Sequence, residues 1–260
     1  MNLRTKEAFK RLLAGHPSLF NIIRKSYRTL FPVYFPPYNA DVVSALKAIF
    51  DGRQNVFFIQ VGSNDGTTMD PFYDLVTSNK SWRGILIEPV PYLFDRLCAN
   101  YNNDTRFIFV NKAISDSAKQ LPFYYISADA EKSLKGIIPS YYEQLGSFDR
   151  NHLVKYTGTY IEPFIMTVQV ACTTLDAALE EHSISQIDLI DIDTEGHDFK
   201  VLSQLNLDKY HPLAIVYEHK LLSDKEQAMA VERLSMHGYV SRIYGDDTIA
   251  VDKSTQSCLL

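Results

Sequence analysis

The sequence predicts an α/β protein: a doubly wound, mostly parallel, Rossmann-like sheet of seven strands with one antiparallel C-terminal strand, preceded by a short helical extension. Three observations predict it. Short apolar runs alternate with amphipathic segments along the body, as strands do when helices carry the crossovers. One run, Asn55–Val61, ends in Gly62-Ser63-Asn64-Asp65-Gly66, and a second, Ile85-Leu86-Ile87, ends in Glu88-Pro89. A third, beginning at Ile187, turns acidic at its carboxyl end, through Asp191, Asp193, Glu195 and Asp198.

The elements follow in order. In residues 1–30 apolar positions recur at three- and four-residue steps on either side of Pro17, so two short helices are expected. Residues 31–38 hold three prolines among aromatics and read as an extended connector. A helix over 40–50 leads into a strand at 55–61, a helix near 68–79, a strand at 84–88 and a helix near 91–101. Strands follow at 106–110 and 121–126. After an irregular middle come a strand at 166–172, a helix at 174–182, a strand at 187–192 and a helix near 198–205. A strand at 213–218 and a helix at 224–236 precede a closing pair, 240–244 and 248–251, around Gly245-Asp246-Asp247. The division is thus an extension over 1–40 and one domain over 41–260, with an insertion near 127–164. That insertion is polar and Tyr-rich, and long connections of this kind serve as lids or binding loops, so substrate selection is assigned to it.

Length and composition fit this plan. The chain has 260 residues, 46% of them apolar, enough for one large domain with a core. Residues 1–40 carry seven Lys or Arg against one acid, a charge of +6, which leaves −11 for the rest of a chain whose net charge is −5. An acidic body excludes nucleic acid as partner, because phosphate contacts need clustered cations. The basic arm suits contact with a subunit or, peripherally, with an anionic membrane. Cys98, Cys172 and Cys258 lack metal-ligand spacing, as expected of a reduced, cytoplasmic protein. No run approaches the ~18 apolar residues of a membrane span, and the N-terminus lacks the apolar core of a secretory signal.

The chemistry is read from the strand ends. A strand, a glycine turn, a helix and a second strand ending in an acid is how a nucleoside cofactor is held: glycines let backbone N–H groups approach the ligand, and the acid accepts from a ribose diol. In the acidic run Asp198 has a plain role in opening a helix, but Asp191, Asp193 and Glu195 are left over and call for a bound cation or a cationic ligand. The next strand ends in Glu218-His219, again at the edge where ligands of open α/β sheets bind.

With these residues in hand the chain resembles a family. The acidic run, preceded by Cys172-Thr173-Thr174-Leu175-Asp176, looks like the signature of FkbM-type methyltransferases, class I enzymes dependent on S-adenosylmethionine (SAM). The glycine turn, Glu88-Pro89 and the segment Val110–Asp116 fall in the family's order, and the resemblance runs from about Asn55 to Val251. It implies that Gly62, Ser63, Asn64, Asp65 and Gly66 cradle the methionine end of the cofactor, that Glu88 binds the ribose, and that Asn111 and Ala113 flank the adenine. Asp193 would lie near the amino group or the sulfonium. The family commonly has lysine where Asp191 stands. The implied reaction is methyl transfer to a hydroxyl of a sugar, a glycan or a related small molecule.

A hydroxyl is a poor nucleophile, so a general base is expected: His219 and Glu218 first, then His197 and Glu195. No metal is expected; were a divalent ion present, Asp191, Asp193 and Glu218 would be its ligands. His152 and His182 receive no role. Two other readings stand beside this one. A nicotinamide-dependent oxidoreductase would share the glycine turn and acid, but the turn is Gly-x-x-x-Gly and lacks a Tyr-x-x-x-Lys partner. A non-catalytic protein could keep the fold while its basic arm docks on a membrane or partner.

Overall fold

The computed structural model describes residues 42–255 and the backbone of Val33–Tyr34. The expected helices of residues 1–30, most of the connector, the basic arm and Cys258 lie outside the described residues.

The elements are β1 (Val33–Tyr34), α1 (Val42–Ile49), β2 (Phe57–Val61), α2 (Tyr73–Ser78), β3 (Arg83–Ile87), α3 (Pro91–Asn100), β4 (Phe107–Val110) and β5 (Ala113–Ile114). There follow β6 (Gln120–Ile126), α4 (Asp129–Ser133), α5 (Arg150–Thr157), β7 (Ile165–Thr173), α6 (Leu175–Glu181) and β8 (Leu189–Ile192). The chain continues with α7 (Asp198–Gln204), β9 (Ala214–Glu218), α8 (Asp224–Met236), β10 (Tyr239–Tyr244) and β11 (Asp247–Asp252). The main sheet has the order β1-β10-β11-β9-β8-β2-β3-β4. Seven of these strands form the expected doubly wound sheet, and β1 adds an eighth at the edge by pairing parallel to β10. The one antiparallel strand, β11, is inserted between β9 and β10 rather than left at the edge.

Nine strands are expected for a sheet of seven, and those at 121–126 and 166–172 are the two that lie outside it. As β6 and β7 they pair with each other antiparallel, and with β5 they make a separate three-stranded sheet. The helix expected near 68–79 begins only at Tyr73. Pro71 disfavours helical backbone at Asp70, Met69 sits at φ +56°, and the Asp70 carboxylate accepts from Phe72 N at 2.8 Å. The insertion is not irregular throughout: it carries α4, α5 and two 3₁₀ turns around a small core of Ile126, Tyr142, Leu153 and Ile161.

Strand alternation places the cores and the site together. Ile59, Val61, Ile85, Ile87, Ile190, Ile192 and Ile215 face one side, against Leu175 and Leu179 of α6, Val201 and Leu202 of α7 and Leu234 of α8. Phe58, Leu86, Leu189 and Val216 face the other, against Leu46, Leu75 and Leu97. On this second face each apolar row ends two residues later in a polar one: Phe58 then Gln60, Leu86 then Glu88, Leu189 then Asp191, Val216 then Glu218. Four neighbouring strands therefore deliver four polar side chains to one edge of the sheet.

Candidate functional site

Those four side chains line a cavity of about 500 Å³ at the carboxyl ends of the strands, a size ordinary for small-molecule sites. Gly62, Ser63, Asn64, Ala113, Asp193, Glu195 and His197 line it too. Of the expected residues, Asp65, Gly66, Asn111 and His219 do not. Each is occupied elsewhere. The Asp65 carboxylate accepts from Thr67 N and Thr68 N at 2.9 and 2.7 Å and shapes the turn. Asn111 donates to the carbonyls of Glu88 and Pro89 at 2.8 and 3.2 Å, tying down the acid's own turn. His219, ranked first as a base, has Nδ1 3.1 Å from the Thr248 hydroxyl, away from the cavity wall.

The glycine turn is closed upon itself. Gly62 N and Ser63 N both donate to Ile87 O at 3.0 Å, Gly66 N donates to Ser63 O, and Asn64 N donates to Glu88 Oε2 at 2.9 Å. The backbone N–H groups expected to reach a ligand are thus already paired. The glycines are needed for close approach instead. A Cβ on Gly62, at φ +89°, would lie 1.7 Å from Asp193 O, and one on Gly66 would strike Leu97 and Tyr101. This contact fixes the end of β2 against the end of β8.

Electrostatically the cavity is a cluster of acids. Glu88 is buried and pushed up to about 7, by burial above all, while Val90 N and Asn64 N hold it back. Burial likewise raises Asp70 to about 6 and Asp247 to about 7. It takes Glu195 to about 8 and Glu218 to about 9, each with the Asp193 charge as the next cause. Asp191 and Asp193 are raised by the same burial. His197 is pushed down to about 4 by burial and by Lys200. The two lysines in the wall are engaged by other carboxylates, Lys112 by Glu181 at 2.6 Å and Lys220 by Asp246 at 2.5 Å.

The orphaned atoms tell what ligand fits. Gln60 donates to Asp70 Oδ1 at 3.2 Å, which leaves Gln60 Oε1 and Asp70 Oδ2 buried without hydrogen-bond partners; Glu218 Oε2 is a third such atom. All three are acceptors in the cavity wall. A ligand bringing N–H donors and hydroxyls satisfies Gln60 Oε1 and Asp70 Oδ2, while Glu218, pushed up to about 9, holds its proton at neutral pH and can donate as well as accept. SAM, with its ammonium, sulfonium and ribose diol, fits this donor demand. Among the described residues no group of three or more His, Cys, Asp and Glu is arranged to hold a metal ion, Asp191, Asp193 and Glu218 included. Gln60, Asp70 and Asp247 were not foreseen, although a glutamine on the inward face of an apolar strand was a visible signal. Nor was His152, whose Nε2 lies 2.7 Å from Glu195 Oε2. His182 ends α6 and is no part of the wall.

Strand order and cavity together define the class: a doubly wound α/β domain with a small-molecule site at the carboxyl edge of its sheet. A family model described as the methyltransferase FkbM domain matches residues 60–243, and the chain belongs to that family. Membership sets aside the nicotinamide reading. No curated protein matches the chain in sequence. Among solved structures it is similar to a methyltransferase FkbM from Methylobacillus flagellatus KT, at 12% identity and a TM-score of 0.49, covering 89% of this chain and 60% of that one. It therefore spans less than two thirds of that protein. It is also similar to the N-terminal domain of human METTL16, at 13% identity and a TM-score of 0.41, covering 86% and 77%. An O-methyltransferase from Bacillus cereus in complex with SAH is 10% identical, with a TM-score of 0.39 and coverage of 94% and 97%. At these TM-scores the likenesses carry no functional argument; family membership rests on the sequence match.

Proposed function

We propose that the chain transfers a methyl group from SAM to a hydroxyl of a sugar, a glycan or a related small molecule. The observation that carries this reading is the convergence of Glu195, Glu218 and His197 on the cavity that Glu88 and the glycine turn also line. A hydroxyl needs a proton acceptor within reach, and these three supply candidates whose conjugate acids span acid to alkaline pH. Bound SAM supplies an electrophilic methyl on a sulfonium. This chain's residues do the rest. Glu88 accepts the ribose hydroxyls, Gln60 and Asp70 take donors with their unpartnered oxygens, and Asp193 and Asp191 complement positive charge. Ala113 gives the adenine a flat neighbour. Tyr141, Phe148 and Tyr156 add aromatic surface for the C–H faces of a sugar ring and keep water from the reacting atoms.

The test is calorimetric titration of the metal-stripped protein with SAM and SAH, with and without magnesium, followed by a glycoside panel read by mass spectrometry. Micromolar binding and an O-linked methyl on product support the reading. Failure of folded protein to bind either compound, or methyl found on nitrogen alone, would sink it.

A further inference from the structure

Glu195 is held from behind. The imidazole of His152, on α5, meets Glu195 Oε2 at 2.7 Å, with the two side chains 10% and 18% exposed. The helix that carries it is well anchored. Asp149 caps it by accepting from Asn151 N at 2.9 Å, and Leu153 and Thr157 are buried. Tyr156, one turn on, packs its ring 4.7 Å from the imidazole and lines the cavity. Ser147, just before α5, donates to Glu195 O at 3.3 Å. Glu195 and Gly196 stand at φ +51° and +95°, taking the chain out of the β8 direction where these contacts form.

We propose that His152 is the positioning residue that makes Glu195 the proton acceptor of the methyl transfer, and this rests on the hydroxyl-methylation reading above. The imidazole engages Oε2, which leaves Oε1 for the cavity. As the hydroxyl oxygen of the acceptor takes the methyl carbon from sulfur, whose bonding pair stays on sulfur, its proton passes to Glu195 Oε1. His152 holds the other oxygen throughout. The charges around the pair come from several elements. Asp193 from the β8 turn and Glu218 from β9 oppose ionisation of Glu195, and Lys220 favours it. Asp149 at the start of α5 favours a charged imidazole, whereas burial and Lys155 disfavour it. The phenol of Tyr156 also feels Glu195 and Glu218. Glu218 and His197 lack such a bond to a group of the insertion, so Glu195 is the base held in place by both walls.

The decisive measurement is NMR titration of the full chain with carbon-13 Glu carboxyl and nitrogen-15 His labels, with and without saturating SAH. A carboxyl signal missing in Glu195→Gln should titrate near 8, and an imidazole signal missing in His152→Gln should titrate below the ordinary imidazole range because its ring is buried. His152→Phe should move the carboxyl midpoint by about one pH unit or more while leaving SAH affinity within about twofold, and His152→Gln should restore it. In turnover of a hydroxyl acceptor, His152→Phe should lower kcat about tenfold or more with the acceptor KM unchanged, and its acid limb should follow the carboxyl midpoint. A Glu195 midpoint indifferent to His152→Phe, or an acid limb that stays put when the midpoint moves, overturns the proposal. Loss of SAH binding in the wild type would instead count against the cofactor reading, and the carboxyl titration would still decide the pair.

Discussion

The cavity has two walls made in different ways. One is the edge of the main sheet, where Gln60, Glu88, Asp191 and Glu218 are set by adjacent strand positions whose registers the ladders lock. The other is the segment between β6 and β7, whose Tyr141, Gln144, Phe148 and Tyr156 face the first. It is fastened by individual side chains: Asn64 to Glu143 O at 3.0 Å, Gln144 to Thr68 O at 2.6 Å, Arg96 to Glu143 at 3.0 Å and His152 to Glu195 at 2.7 Å. A register cannot slip without turning every side chain over, whereas a wall held by separate bonds can be rebuilt one residue at a time.

The sharpest way to break this contrast is Gly62→Ala. Its Cβ would meet Asp193 O at 1.7 Å from a backbone at φ +89°, so a loss of at least about 3 kcal/mol of stability is expected, with SAH binding lost as well. Urea unfolding that differed little from wild type would remove the claim that the sheet wall is rigid. Next comes Glu88→Ala, which should weaken cofactor binding by about 1.5–3 kcal/mol, the worth of charge-assisted hydrogen bonds; an unchanged calorimetric affinity would refute the ribose assignment. At the small end is Arg96→Ala, which cuts the partly exposed pair to Glu143 and should cost under about 1 kcal/mol in thermal unfolding. A larger loss would show that single bonds carry more of the second wall than their exposure implies.

The acidity of the first wall gives a pH signature. Asp70, Glu88, Asp247, Glu195 and Glu218 are all raised, from 3.8 or 4.5 to between about 6 and about 9. Folded protein therefore binds these protons more tightly than unfolded chain does. The stability they contribute is fully present below about pH 4 and is lost as pH rises towards about 9. Melting without cofactor should fall over that range; a rising melting temperature would contradict it. Positive charge offsets the loss, so the affinity of the sulfonium SAM relative to uncharged-sulfur SAH should increase between about pH 6 and 9, as calorimetry at both ends would measure.

Much of the first wall was legible because its signals are local. Strand ends at Val61, Ile87 and Ile192, the acids Glu88, Asp193, Glu195 and Glu218, and the glycine turn all announce themselves within a few residues. What was misjudged depended on partners far away in the chain. His219 follows Glu218 directly, yet its imidazole meets Thr248 of β11 and it is not among the residues lining the cavity. Strands 121–126 and 166–172 were expected as strands, but their antiparallel pairing with each other, around a chain segment with its own small core, was not legible.

The alternation of strands and helices and the polar strand ends follow from residue period and short-range spacing, and were legible in the residues alone; the family was legible as a resemblance of motifs, which the family match bears out. Only the tertiary structure decided that Gly62 is demanded by Asp193 O, that β11 enters between β9 and β10, and that His152 meets Glu195 across 43 residues of chain. Such contacts depend on how separate elements pack, and no local pattern of residue types encodes which distant side chain will arrive.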